Sequence, residues 1–155
     1  MVADDGSDAA LKAVELAAEL AAKTGAELIA LAVVNPNRVG AADVSTLARS
    51  EKLADAEALE ILVDASANYL ERCEKVAKRA GVIRFREVRR TGDDAALEIT
   101  DFARAHDIDL IVVGCRGRGR LPGLLLGSVS QKLATHAPCS VLIARQAEQI
   151  GRSPH

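Results

Sequence analysis

The chain has 155 residues, 49% of them hydrophobic and 27% charged, with a formal net charge of -2. That length suits one compact domain with a continuous core, and the near-neutral charge argues against a general nucleic-acid binder. No apolar run approaches the roughly 20 residues that span a bilayer, and no basic segment leads into an apolar one at the start, so a cytoplasmic protein is expected.

Taken in chain order, Met1 to Asp4 would form a first strand. Ser7 then caps a helix carrying Leu11, Val14, Ala18, Ala21 and Ala22, which Gly25 terminates. Ala26 to Val34 is nearly all apolar, the pattern of a parallel strand buried on both faces, and Asn35-Pro36-Asn37 breaks it. A polar stretch from about Val39 to Ser50 reads as a loop. From about Glu51 to Ala80, Leu59, Leu62, Val63, Leu70, Cys73 and Ala77 follow helical spacing up to Gly81. Val82 to Arg90 alternates, with Ile83 and Phe85 against Arg84 and Arg86, as in a strand with one face open to solvent.

Gly92-Asp93-Asp94 opens a helix carrying Leu97, Ile99, Phe102 and Ala103 and ending near His106. Leu110 to Val113 is a short apolar strand ending in Gly114. Ser128 to about His136 reads as a helix, and Val141 to Ala144 as a last strand after Pro138. Strand and helix thus alternate, the signature of an α/β domain with a parallel sheet flanked by helices. It is expected over residues 1–145, with 146–155 a polar tail. Cys73, Cys115 and Cys139 lack metal-ligand spacing and read as reduced thiols.

The strongest local signal is Gly114-Cys115-Arg116-Gly117, followed after nine residues by Gly127-Ser128-Val129-Ser130. It leaves a buried strand and enters a helix. Ligands of open parallel sheets bind outside the carboxyl ends of the strands, glycines allow close backbone approach and positive φ, and a helix N-terminus offers unpaired N–H groups to an anion. Ser128 and Ser130 would add hydroxyl donors, and phosphate is the natural occupant. The spelling excludes a P-loop, a dinucleotide fingerprint and a kinase set. Arg116, Arg118 and Arg120 suit either phosphate contact or a solvated loop. With Tyr69, Phe85 and Phe102 the only aromatics, base stacking on single-stranded nucleic acid has little support.

The pattern G-x2-G-x9-G-S resembles the nucleotide-binding motif of the universal stress protein family. So do Asp5-Gly6-Ser7 after the first strand, Asn35-Pro36 after the second, Gly92-Asp93, the run Asp109 to Gly114, Leu124 to Ser130 and His136 to Ile143. The resemblance implies a single three-layer domain, adenine nucleotide α-hydrolase-like, whose five-stranded parallel sheet has the order 3-2-1-4-5 and helices on both faces. It implies a homodimer paired through the last strand (Val141, Leu142, Ile143) and binding of ATP or AMP, with or without Mg²⁺. Asp5 would face the ribose or a metal ion. Val33 would meet the adenine through its backbone, Val113, Gly114 and Gly117 would line the ribose and phosphates, and Gly127, Ser128, Val129 and Ser130 would hold the phosphates.

The implied function is a stress-response or regulatory module acting on a protein partner, with neither nucleic acid nor membrane involved. A slow ATP hydrolase, or a relative acting by dimerisation alone, is the alternative; Asp5 is the one candidate carboxylate near the loop, and no lysine lies between Cys115 and Gln131. Asp4 departs from the family, which has a small or apolar residue there. A buried carboxylate in a central strand needs a partner, a route to the cleft edge, or a proton.

Overall fold

In the computed structural model, residues 1–36, 55–117 and 126–145 are described, with side chains of the second helix from residue 60. The expected loop at 39–50, the helical start at 51–54, the Leu59 side chain, Arg118, Arg120 and the tail 146–155 lie outside the described residues. The elements are β1 (Val2–Ala3), α1 (Asp8–Thr24), β2 (Glu27–Val34), α2 (Asp55–Ala80), β3 (Arg84–Thr91), α3 (Ala95–Ala105), β4 (Leu110–Gly114), α4 (Ser128–His136) and β5 (Ser140–Ala144).

All strand pairs are parallel, in the order β3-β2-β1-β4-β5. β1 is short but central: Val2 stands opposite Ala30 on one side and Val112 on the other. Its ladder reaches further, because the Val112 amide donates to the Met1 carbonyl at 2.8 Å and the Asp4 amide to Leu31 at 3.0 Å. From β1 the chain moves outward to β2 and β3, then returns to β4 on the other flank. The crossovers therefore part at the carboxyl ends of β1 and β4 and leave a crevice there.

Each sheet face carries its own core. Leu28, Ala30, Ala32, Val2 and Val112 pack under Val14, Ala17, Ala18, Leu70 and Cys73 of α1 and α2. Ile29, Leu31, Ile111 and Val113 pack under Ile99, Phe102, Ala103 and Leu133 of α3 and α4. The buried face of α1 is alanine at every position but Val14, so the helix can lie very close to the strands. A Cβ on Gly114 would stand 2.6 Å from the Ala9 carbonyl carbon and 2.9 Å from the Ala10 nitrogen. Here glycine is required by backbone-to-backbone contact.

The helix ends follow their cap residues. Ser7 accepts from the Ala10 amide at 3.1 Å, and Gly25 closes α1 in the left-handed region at φ 69°. Two expectations are corrected. Leu97 is 56% exposed, because the Asp94 cap sets the phase of α3 so that Ala96, Ile99, Thr100, Phe102 and Ala103 point inward. Ile83 precedes β3 and is 90% exposed. His106 stacks on Phe102 at 3.9 Å between ring centroids and ends α3 as a packing residue.

Candidate functional site

The crevice at the carboxyl ends of β1, β2 and β4 is a cleft of about 590 Å³. Asp5, Val33, Val113, Gly114, Gly117, Gly127, Ser128, Val129 and Ser130 all line it, so the sequence expectation brings its residues to one place. Leu62, Ala65, Ser66 and Tyr69 of α2 form the opposite wall, and Asp93 and Asp94 at the head of α3 form one end.

The anion-binding potential lies at the start of α4. Gly127 is its N-cap and supplies no capping side chain, while its own amide donates to the Cys115 carbonyl at 2.7 Å. Gln131 closes the first helical bond onto Gly127 at 2.9 Å. The amides of Ser128, Val129 and Ser130 have no acceptor among the described residues and open on the cleft at the positive end of the helix dipole. Ser130 is buried, and its hydroxyl is directed to the carbonyls of Cys115 (3.0 Å) and Gly127 (2.9 Å). The hydroxyl donor expected for an anion is therefore spent on holding the loop; that of Ser128, which is exposed, remains.

The expected positive φ does not occur at Gly114, Gly117 or Gly127; among the described glycines it occurs at Gly6, Gly25 and Gly81. Space is what the loop glycines provide. A Cβ on Gly117 would sit 2.5 Å from Oδ2 of Asp5, and one on Gly127 would sit 3.3 Å from the Arg116 Cα. Asp5 in turn accepts from the Ser7 amide at 3.0 Å through Oδ1, which fixes its carboxylate at the cleft mouth. Gly6, at φ 84°, lies flat under the Tyr69 ring, which a Cβ there would overlap.

Asp4 finds its partner in α2. Its side chain is fully buried and takes Nη2 of Arg72 on both oxygens, at 2.7 and 2.8 Å. The Gly6 amide (2.9 Å) and the Cys73 thiol (3.2 Å) also donate to it. Burial, reinforced by the adjacent Asp4 carboxylate, pushes the Cys73 thiol far above its ordinary range. This cluster ties the floor of the cleft to α2.

Residue reading by local motif missed Asp93, Asp94 and Lys132, so Asp5 is not the sole carboxylate here. Asp94 caps α3 through Oδ1, which accepts from Ala96 at 3.0 Å and Leu97 at 3.4 Å. Its Oδ2 takes the Lys132 ammonium at 2.5 Å. That contact, first, and the cap amides hold the Asp94 carboxyl below its ordinary range. The available signal was topological: parallel strands deliver the start of every following helix to the same edge of the sheet. Val141, Leu142 and Ile143 lie elsewhere, half-buried on edge strand β5. Among the described residues no helix is long and apolar enough to cross a membrane.

The universal stress protein family model matches residues 1–145. A universal stress protein of Methanocaldococcus jannaschii is 31% identical over 150 residues, covering 96% of this chain and 82% of the relative. Among solved structures, universal stress protein UspA from Lactobacillus plantarum superposes with a TM-score of 0.77 at 25% identity, covering 93% of this chain and 95% of that one. A universal stress protein in complex with cAMP superposes with a TM-score of 0.67 at 27% identity, covering 93% of each chain.

Proposed function

The chain belongs to the universal stress protein family, and on that premise we propose that it binds an adenine nucleotide, ATP or AMP, and acts as a stress-response module. The carrying observation is the open first turn of α4, whose amides face a glycine-floored cleft of nucleotide size. The phosphates would rest on the amides of Ser128, Val129 and Ser130 and on the Ser128 hydroxyl. Gly114 and Gly117 would let the ribose approach the backbone, and Asp5 would accept from its hydroxyls. Val33, half-buried at the end of β2, would meet the base through its backbone. The relative complexed with cAMP supports an adenine ligand.

The functional unit would be a cytoplasmic homodimer paired through β5, whose place at the end of the sheet and half-buried Val141, Leu142 and Ile143 favour being covered. Its nucleotide occupancy would be read by a protein partner. Native mass spectrometry of the purified protein reads ligand and oligomeric state together. Calorimetry with ATP and AMP then compares wild type with the double variant Gly127→Leu, Ser128→Leu. Loss of binding in a variant that keeps its circular dichroism supports the reading; unchanged affinity overturns it.

A further inference from the structure

The cleft contains a charged pair that the nucleotide reading does not explain. Among the described residues lining it, only Arg116 and Lys132 are cationic. Lys132 lies one turn beyond Ser128 on the same face of α4. The step of four residues between them rises about 6 Å along the helix, and helical side chains lean toward the N-terminus. Lys132 therefore presents its ammonium from the second turn, where it meets the head of α3.

That ammonium is held by Asp94 across the cleft end, at 2.5 Å. The two side chains are 55% and 41% exposed, so the pair is solvated and holds only weakly. It is also free to break without harming the fold locally, because the α3 cap uses the other carboxylate oxygen of Asp94. A monophosphate resting on the amides of Ser128, Val129 and Ser130 would satisfy them and reach no further. Additional phosphates must extend past that turn, where the nearest cation on α4 is Lys132.

We infer that Lys132 is the residue by which this cleft favours a nucleoside triphosphate over a monophosphate, its ammonium passing from Asp94 to the terminal phosphates. The inference rests on the adenine-nucleotide reading above and adds to it a determinant of phosphate number. Asp94 acts as the competing acceptor, which keeps the ammonium at the cleft when no polyphosphate is bound.

The test is calorimetric titration of wild type, Lys132→Gln and Asp94→Asn with ATP and with AMP, each variant checked by thermal unfolding. Lys132→Gln lowers the ATP-over-AMP preference by about tenfold, the size of one lost charge-assisted contact. Asp94→Asn raises that preference, because it frees Lys132 and removes a repelling carboxylate, while asparagine caps a helix as well as aspartate does. A pair that merely braced α3 against α4 would give two variants that shift both affinities in the same direction and leave the preference unchanged; that result overturns the inference. A wild type that binds both ligands without preferring ATP overturns it as well. A wild type that binds neither refutes the nucleotide reading first, and this inference with it.

Discussion

Replacing Arg72 by methionine isolates the energetics of the cleft floor. The substitution keeps most of the side-chain volume and removes the cation from a carboxylate whose own side chain is fully buried. Breaking a buried pair from one side costs about 3–5 kcal/mol, since the remaining charge is left uncompensated. Arg72 is 30% exposed, so water can replace part of its contact, and the Gly6 amide and Cys73 thiol remain as donors. The lower end, about 3 kcal/mol, is therefore expected. At about 2–4 °C per kcal/mol for a chain of this size, the melting temperature falls by about 6–12 °C. Chemical denaturation at fixed protein concentration measures the loss, with an unchanged m-value confirming that stability alone has moved. The double variant Asp4→Val, Arg72→Met should return to within about 1 kcal/mol of wild type, because apolar replacement of a buried pair is often neutral. The buried Nε of Arg72, which lacks a partner among the described residues, already offsets part of the pair's gain. A single variant within about 0.5 kcal/mol of wild type, or a double variant no more stable than the single, would refute the reasoning.

Two further perturbations address neighbouring groups. The Cys73 thiol titrates well above its ordinary 9.0 in the folded state, chiefly through burial. Its folded pKa is raised, so its contribution is complete below 9.0 and is lost as pH climbs beyond it. Urea midpoints should fall more steeply between neutral and strongly alkaline pH in wild type than in Cys73→Ala; equal slopes would contradict this. Gly117→Ala places a methyl against the Asp5 carboxylate, so nucleotide affinity should weaken by about tenfold with little change in melting temperature. Calorimetry beside thermal unfolding separates the two effects, and unaltered affinity would detach Asp5 from the ligand.

Much of the fold was legible because its signals are local. Glu27–Val34 reads as a buried strand since both its faces are covered, and five consecutive residues from Leu28 to Ala32 are buried. Ser7 and Gly25 mark α1 because capping is a short-range hydrogen-bond problem. The α4 side of the cleft was legible for the same reason, being one loop and one helix start. What escaped was long-range. Arg72 meets Asp4 across 68 positions, and Lys132 meets Asp94 across 38. Helical spacing placed residues on α2 without saying that Tyr69 would roof Gly6. Leu97 was misplaced because a hydrophobic residue near a helix start faces wherever its cap dictates.

Among the described residues four carboxylates line this cleft, Asp4, Asp5, Asp93 and Asp94, yet its proposed ligand is an anion. For three of the four, the conflict resolves by position. Asp4 is neutralised from below by Arg72, and Asp94, until a polyphosphate draws the ammonium away, from across the cleft by Lys132. Asp5 is turned by its bond from the Ser7 amide toward Gly117, the point where the loop backbone would admit a sugar. The uncapped amides of α4 belong to Ser128, Val129 and Ser130, beyond Gly127. A ligand carrying negative charge alone would satisfy those amides and leave Asp5 facing an anion. A ligand that joins phosphate to a ribose satisfies both, because its hydroxyls give the carboxylate donors to accept. On the proposed reading, selectivity for a nucleotide over free phosphate therefore comes from the acid groups, and affinity for the phosphates from the backbone.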